Sequence, residues 1–221
     1  MPPHMKNKKL LHAVVLLSGG LDSATVLYLA KARGYICKCL IFDYGQIHKK
    51  EIRQAEGIAK AAGCAYKILK IDFPWKGSAL LDQKIKIPEK IGRGIPATYV
   101  PSRNIIFLSF AASFAETIGA QAIFIGAHAQ DYSGYPDCRP KFIAAFSKMI
   151  NVGTYGGFKI LAPLLNKNKS QIILTGQKLK VPFALTWSCY RGEKTPCEKC
   201  DSCYYRAKGF KEAGLIDPLI K

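Results

Sequence analysis

The sequence contains no long hydrophobic run. Although 49% of its 221 residues are apolar, no apolar stretch approaches the roughly 20 residues that a helix needs to cross a bilayer. The first residues, from Met1 to Lys6, also lack the apolar segment of a secretory signal. We therefore expect a cytoplasmic protein without membrane contact. Residues 1–11 are expected to be a disordered or tag-like terminus.

Acidic residues are scarce. The chain has 15 Asp and Glu residues against 33 Lys and Arg residues, which gives a formal charge of +18. Such an excess is compatible with a nucleic-acid partner, an anionic small ligand or a solvated lysine-rich surface. Because the basic residues are scattered along the chain rather than concentrated in one stripe, we expect no stable nucleic-acid partner.

Internal repeats and low-complexity tracts are also absent, and strand and helix patterns alternate instead. Such alternation predicts an α/β fold with an open parallel sheet and helices on both faces. The predicted strands are 12–17, 36–42, 65–71, 121–126 and 158–161, and the predicted helices are 23–33, 48–62, 103–118, 139–151 and 170–179. The α/β domain is expected over 12–180, with 181–221 as a small C-terminal appendage.

A Ser-Gly-Gly-Leu-Asp-Ser loop, residues 18–23, follows the first predicted strand and opens a helix. Adjacent glycines let backbone N–H groups approach an anion, and the positive end of the helix adds to the attraction. The loop lacks the Gly-Lys-Ser/Thr ending of a kinase-type phosphate loop. The candidate nucleotide-binding residues are Leu17, Ser18, Gly19, Gly20, Leu21, Asp22, Ser23 and Thr25.

Three further loops are expected beside this one. They follow Phe42, precede Arg103 and follow Ile125. Ligands bind in open α/β sheets at the carboxyl ends of the strands, where the strand order reverses. The side chains of all four loops are therefore predicted to share one site. The long irregular segment 73–101 has the length of a functional loop.

Four of the eight cysteines fall close together near the end of the chain. Four thiolates in a short segment suit a tetrahedral structural zinc ion, with an iron–sulfur cluster or a redox Cys-x-x-Cys pair as alternatives. Cys37 and Cys39 point to one face of a predicted strand as small buried residues, and Cys64 has no visible partner. The candidate metal ligands are Cys189, Cys197, Cys200 and Cys203.

Three more motifs carry a family resemblance. They run from Asp43 to Glu51, from Val100 to Asn104 and from Asp131 to Arg139. Together with the phosphate loop and the four cysteines, they resemble the 7-cyano-7-deazaguanine synthase family. That family belongs to the ATP pyrophosphatases, or PP-loop superfamily, with an adenine-nucleotide α-hydrolase-like fold. The resemblance extends over residues 12–215.

The resemblance implies a reaction. In this family 7-carboxy-7-deazaguanine, ammonium and ATP give the nitrile used in queuosine biosynthesis, through an acyl-adenylate and an amide. The expected cofactors are ATP, Mg²⁺ and a structural Zn²⁺, and the expected assembly is a homodimer. Orienting anions and absorbing phosphate charge is mainly an electrostatic task.

The resemblance also implies residue roles. The catalytic candidates are Ser18, Asp22, Arg103 and Lys169, with Asp22 orienting magnesium and Lys169 countering pyrophosphate charge. His48 and His128 are open between proton transfer and a structural role. The candidate substrate-binding residues are Arg103, Asp131, Tyr132, Ser133, Tyr135, Asp137 and Arg139.

Two positions depart from the family pattern. Ser102 stands where relatives commonly carry glycine, so a positive φ there would strain it and re-aim Arg103. Arg191 stands where a smaller or neutral residue is expected.

Two other functions remain open at this point. One is a tRNA-thiolating enzyme with Cys138 as a persulfide carrier, and the other is a catalytically silent binding protein.

Overall fold

A computed structural model describes residues 10–89, 94–128, 134–192 and 194–220. Strands and helices alternate through most of these residues. The strands are β1 (Leu11–Leu16), β2 (Tyr35–Asp43), β3 (Ala65–Lys70), β4 (Ala122–Phe124) and β5 (Lys159–Leu161). The helices are α1 (Leu21–Ala32), α2 (Lys50–Ala61), α3 (Arg103–Thr117), α4 (Pro140–Gly153), α5 (Lys169–Lys178) and α6 (Asp201–Glu212).

The five strands form one parallel sheet in the order β3-β2-β1-β4-β5. In the central register, Val15 of β1 lies between Cys39 of β2 and Phe124 of β4. The strand order reverses between β1 and β4. The loops that leave these two strands therefore border the crevice where ligands of such sheets bind.

Each face of the sheet has its own hydrophobic core. One core joins Val15 and Cys39 to the buried sides of α1, α2, α5 and α6. The other joins Val14 and Leu40 to α3 and α4. Successive residues of a strand point to opposite faces, so each central strand supplies both cores. The predicted α/β class, with helices on both faces of a parallel sheet, is confirmed.

The C-terminal segment, predicted as an appendage, packs closely against the sheet domain. Helix α6 packs on α5, and Phe210 is buried in the core of α1 and α2. The buried Arg206 guanidinium donates to both carboxylate oxygens of Asp217, at 2.7 and 2.9 Å, and to Thr186 Oγ1 at 2.7 Å. This network ties α6 to the chain on either side of it.

Cys64 has a neighbour that its position in the sequence does not reveal. Its thiol donates to the Ala62 carbonyl at 3.6 Å. It also lies near Cys39, which is completely buried on β2, and the interaction between the two thiols raises the pKa of Cys39 and lowers that of Cys64 to about 7. Cys37 and Cys39 are both buried in the core on one face, as the alternation along the strand predicts. Among the helices of the described residues, none is both long and apolar enough to cross a membrane.

Candidate active site

A cavity of about 240 Å³ opens at the carboxyl ends of β1, β2 and β4. Its wall combines the phosphate loop, the start of α2, the start of α3 and the segment before the cysteine cluster. The loops predicted to converge at this edge therefore do so. The polar side chains that line it include Ser18, Asp22, Ser23, Tyr44, Gln46, Glu51, Arg103, Asn104 and Tyr135.

The phosphate loop is held by its own two serines. Ser23 Oγ accepts from the backbone N–H of Ser18 at 3.2 Å and lies 3.1 Å from Ser18 Oγ. Helix α1 begins after Gly20, which has no side chain that could cap the first N–H groups of the helix. Uncapped N–H groups at the positive end of a helix are suited to bind phosphate oxygens.

Gly19 allows α2 to pack directly on this loop. Its φ is +86°, and a Cβ at this position would lie 2.2 Å from the carbonyl oxygen of Glu51. Only glycine fits so close a backbone contact. On the other side, the Gly19 carbonyl accepts from the backbone N–H of Trp187 at 2.9 Å. The loop is therefore fixed between α2 and the C-terminal segment.

Asp22 belongs to a three-residue polar network. Lys169 Nζ donates to both carboxylate oxygens of Asp22, at 2.8 and 2.9 Å, and lies 3.1 Å from His128 Nε2. Burial alone would raise the pKa of Asp22, but the Lys169 ammonium and His128 hold it well below its usual value. Asp22 therefore stays ionised, and Lys169 is not the solvated surface residue that its sequence context allows.

Arg103 extends into the cavity from the start of α3. Its Nη1 lies 3.4 Å from the Tyr44 hydroxyl, and its guanidinium carbon lies 5.8 Å from the centre of the Tyr44 ring. Ser102, just before it, has a φ of +57°. The left-handed conformation considered for Ser102 is thus present, and Arg103 nevertheless lines the cavity.

The residues predicted to bind the deazaguanine have different placements. Tyr135 lines the cavity, and its hydroxyl lies 3.0 Å from Thr98 Oγ1. Asp137 is buried and accepts from the backbone N–H of Asn104 at 2.9 Å, so one of its oxygens caps α3. Arg139 is exposed at the start of α4. Asp131, Tyr132 and Ser133 lie outside the described residues.

The remaining loop candidates divide in the same way. Leu17, Ser18, Gly20 and Ser23 line the cavity, whereas Leu21 is buried in the core. Thr25 is also completely buried, and its hydroxyl donates to the Leu21 carbonyl at 2.9 Å. Thr25 faces away from the cavity, so its position does not support a contact with nucleotide.

The four clustered cysteines form a site of the right chemistry for zinc. The sulfur atoms of Cys189, Cys197, Cys200 and Cys203 all lie within 4.8 Å of one another. Hydrogen bonds from Cys200 and Cys203 lower the pKa of Cys189, and the reciprocal bond helps raise that of Cys200 to about 11. Full deprotonation of the set thus calls for a cation. Four thiolates suit a closed, tetrahedral structural zinc site.

This cysteine segment also forms part of the cavity wall. Trp187, Ser188 and Tyr190 line the cavity immediately around Cys189. Lys50 Nζ lies 3.3 Å from the centre of the Trp187 ring.

Two further contacts hold the same segment against the domain. Arg191, the second residue that departs from the family pattern, forms an ion pair of 2.8 Å with Glu89 of the long loop. Gly192 packs so closely on His48 that a Cβ would lie 2.3 Å from its side chain. The position of His48 is therefore compatible with a structural role.

The sequence assigned no role to several polar residues of the cavity, among them Gln46 and Glu51. The Gln46 carboxamide accepts from Tyr44 N at 2.8 Å and donates to the Phe42 carbonyl at 3.2 Å, which fixes the turn after β2. Glu51 lines the cavity from the first turn of α2. Both residues belong to the motif 43–51. The position of this motif directly after a central strand is the sequence feature that could have indicated a role for them in the site.

Comparison with known proteins identifies relatives over nearly the whole chain. The model of the family described as queuosine biosynthesis protein QueC matches residues 12–214. A protein from Clostridium kluyveri named 7-cyano-7-deazaguanine synthase is 54% identical, with 94% of this chain and 96% of the relative covered. A protein of the same name from Stutzerimonas stutzeri is 51% identical, with 97% and 98% covered.

Solved structures with the same fold are more distant. NMN synthetase from Francisella tularensis superimposes with a TM-score of 0.52 at 18% identity, covering 93% of this chain and 77% of that one. A predicted subunit of a tRNA methyltransferase from Methanocaldococcus jannaschii gives a TM-score of 0.51 at 19% identity, covering 76% and 75%. At these identities the likeness concerns the fold alone.

Proposed function

This chain belongs to the QueC family of queuosine biosynthesis proteins, and on that premise we propose that it is a 7-cyano-7-deazaguanine synthase. It converts 7-carboxy-7-deazaguanine and ammonium into the nitrile at the expense of ATP. By reaction class it is a carbon–nitrogen ligase. The observation that carries the proposal is one cavity lined by both the phosphate loop, represented by Ser18 and Gly20, and Arg103.

The phosphate loop binds the triphosphate in this proposal. The N–H groups at the start of α1 and the hydroxyls of Ser18 and Ser23 are directed toward the β- and γ-phosphates. The α-phosphate then faces the centre of the cavity, where a carboxylate oxygen attacks it and pyrophosphate leaves. Positioning the two reactants in this way accounts for a large part of the rate acceleration in such reactions.

Arg103 orients the acid substrate. Its guanidinium can bind a carboxylate through two parallel hydrogen bonds. The contact with Tyr44 stabilises its position at the start of α3. Tyr135 and Tyr44 offer aromatic rings to the deazaguanine. The second carboxylate oxygen of Asp137, or Asp131, supplies the acceptor for its N–H edge. Arg139 is a peripheral contact.

Lys169 controls charge on the departing pyrophosphate. Its ammonium neutralises Asp22 in the structure, and phosphate oxygens would compete with that carboxylate for its N–H donors. When Mg²⁺ is bound with ATP, it shields phosphate charge, and Asp22 is the nearest predicted ligand for the ion or its waters. Release of Lys169 toward phosphate would leave the oxygens of Asp22 available.

Several properties of the protein are part of the same proposal. We place it in the cytoplasm as a homodimer with one structural zinc ion per chain held by the four cysteines. The domain division at residue 180 is retained as a proposal, although α6 packs against α5 across that boundary.

The direct test is incubation with 7-carboxy-7-deazaguanine, ammonium and Mg-ATP, followed by mass spectrometry. The nitrile and AMP are the expected products, whereas ADP and phosphate, or no product, would overturn the proposal.

Arg103→Met is expected to lower kcat/KM by about 10²-fold, because the variant loses the charged group that orients the reacting carboxylate. Arg53→Met, at an exposed position on α2, is the matched control.

Sulfur transfer to tRNA is the second candidate, because Cys138 lines the same cavity. Cys138 Sγ accepts from the Asn104 side chain at 3.2 Å. Cys138→Ser separates the two functions. Retained nitrile formation supports the synthase, and complete loss of turnover together with salt-dependent tRNA binding supports thiolation.

A further inference from the structure

Among the residues that the structure describes, Glu51 is a carboxylate without a paired group in the wall of the cavity. It occupies the first turn of α2. In the part of the chain that the structure describes, its side chain forms no hydrogen bond or ion pair. An acidic group left without a partner inside a ligand cavity indicates that a ligand with N–H donors or positive charge binds beside it.

The environments of Glu51 and Asp22 differ in the way expected of groups with different roles. Both carboxylates line the cavity, but Asp22 is neutralised by Lys169. For Glu51, burial raises the pKa to about 7, and the opposing charge of Arg103 does not cancel this effect. A carboxylate with a pKa near neutrality is suited to accept a proton at the working pH.

The position of Glu51 is fixed by the fold. Its backbone carbonyl lies against Gly19, so the first turn of α2 cannot move relative to the phosphate loop without breaking that contact. The charged or titratable groups that act on the Glu51 carboxylate are Arg103, Tyr44 and Cys189. Glu51 thus lines the cavity beside the phosphate loop, and the charge of Arg103, the arginine assigned to the substrate acid, acts on its carboxylate.

We propose that Glu51 binds the ammonium substrate and accepts its proton, so that ammonia is formed next to the activated acyl group. This inference rests on the proposed synthase function. In the proposed function the acyl-adenylate forms between the phosphate loop and Arg103, and Glu51 lines that same cavity. The other cavity carboxylate cannot take this role while it is paired with Lys169.

The proton balance is simple. Ammonium transfers one proton to the Glu51 carboxylate, which gives ammonia and the neutral carboxyl group. The nitrogen lone pair then forms a bond to the acyl carbon as the bond from that carbon to the AMP oxygen breaks. The resulting amide nitrogen loses its extra proton to solvent, and Glu51 returns its own proton to solvent before the next ammonium binds.

The experiment separates the two half-reactions in the Glu51→Gln variant. Acid-dependent exchange of labelled pyrophosphate into ATP reports adenylation alone, and we expect it to remain within about threefold of wild type. Ammonium-dependent amide and nitrile formation is expected to fall by about 10²-fold, a typical effect of losing a general base. Glu56→Gln, on the same helix but hydrogen-bonded to Tyr66, is the matched control and is expected to change neither rate.

Hydroxylamine provides the decisive comparison because it is unprotonated at neutral pH and needs no base to become a nucleophile. Glu51→Gln should therefore form the hydroxamate at close to the wild-type rate. Its defect with ammonium should also shrink as rising pH increases the fraction of free ammonia. A purely structural role for Glu51 would impair both nucleophiles equally and at every pH.

Three results would overturn the inference. Equal losses with ammonium and hydroxylamine would exclude a proton-accepting role. Loss of pyrophosphate exchange in the variant would assign Glu51 to adenylation or to folding. A raised KM for the acid with an unchanged ammonium dependence would assign it to recognition of the deazaguanine edge. Absence of exchange and of nitrile in the wild-type protein would instead contradict the proposed function itself.

Discussion

Ser102 shows how one residue can carry backbone strain beside a side chain that lines the candidate site. Its φ of +57° and ψ of 19° lie in the left-handed region, and it immediately precedes Arg103 at the start of α3. A residue with a Cβ pays about 1–2 kcal/mol in this conformation relative to its ordinary ones. Its side chain forms no capping hydrogen bond to α3 that would offset this cost.

Ser102→Gly is accordingly expected to stabilise the protein. Relief of the strain stabilises the folded state, and the greater freedom of glycine in the unfolded chain offsets part of this gain. The net effect should be a free energy of unfolding that is higher by about 1 kcal/mol. The measurement is the urea midpoint of purified variants. Ser109→Gly is the control with the opposite sign, because Ser109 lies inside α3, where glycine costs about 0.5 kcal/mol or more. Lower stability in Ser102→Gly would contradict the strain argument.

The sequence allows prediction of individual residues only where local spacing decides their position. The phosphate loop follows directly from Ser18, Gly19 and Gly20 after a buried strand. The contact of Lys169 with Asp22 joins residues 147 positions apart, and nothing in their local patterns encodes it. Thr25 shows a second limit of local patterns, since its position in the motif suggests a ligand contact and its side chain is completely buried in the structure.

Helix α6 illustrates what holds an element to its neighbours. Only a few of its side chains are buried against the domain, and the largest polar one is Arg206, which is 3% exposed. The Asp217 carboxylate binds it with two parallel hydrogen bonds. A buried pair of this kind contributes little beyond its desolvation cost, but removing one partner leaves an uncompensated charge in the interior.

Asp217→Ala should therefore lower the free energy of unfolding by about 3–5 kcal/mol, because Arg206 keeps its charge without a carboxylate. The double variant Arg206→Met/Asp217→Leu should lose less than this single variant, since no charge remains buried. Glu212→Ala removes the exposed partner of Lys208 on the same helix and is expected to cost no more than about 0.5 kcal/mol. Comparable losses in Asp217→Ala and Glu212→Ala, measured by urea unfolding, would exclude this explanation.

The sequence predicts the strands and helices themselves well but predicts their ends less accurately. Strand β2 and helix α2 have clear apolar patterns and end near glycines with positive φ or at charged residues. Strand β4 is shorter than the predicted 121–126 because only Ala122–Phe124 pairs with its neighbours on both sides. Pairing length is a tertiary property, so the sequence pattern overestimates it.

At the scale of the whole molecule, the cavity depends on the C-terminal segment as well as on the sheet. Trp187, Ser188 and Tyr190 complete its wall, and the Trp187 N–H bonds to the Gly19 carbonyl. The sequence predicted the cysteine cluster from its spacing but indicated no connection with the nucleotide site. The connection arises because the chain after α5 returns across the loop 18–23, a path that local patterns do not specify.

From this arrangement we expect the cysteine site to affect nucleotide binding. Cys189 lies between Ser188 and Tyr190 of the cavity wall, and a structural zinc ion contributes directly to folding of the segment that holds it. Loss of a metal ligand should therefore release the wall from its position over the phosphate loop, although no cysteine of the cluster is assigned a contact with ATP.

Cys200→Ala is expected to abolish zinc binding, which metal analysis of the purified protein would show as a fall from one ion per chain. Loss of about 3 kcal/mol of folding energy would lower Tm by roughly 10 °C, and ATP affinity in calorimetry should fall by at least tenfold because the wall at Trp187 is no longer held. Cys64→Ala, outside the cluster, should retain both zinc and ATP binding. A zinc-free Cys200→Ala protein with wild-type ATP affinity would show that the sheet domain forms the nucleotide site alone.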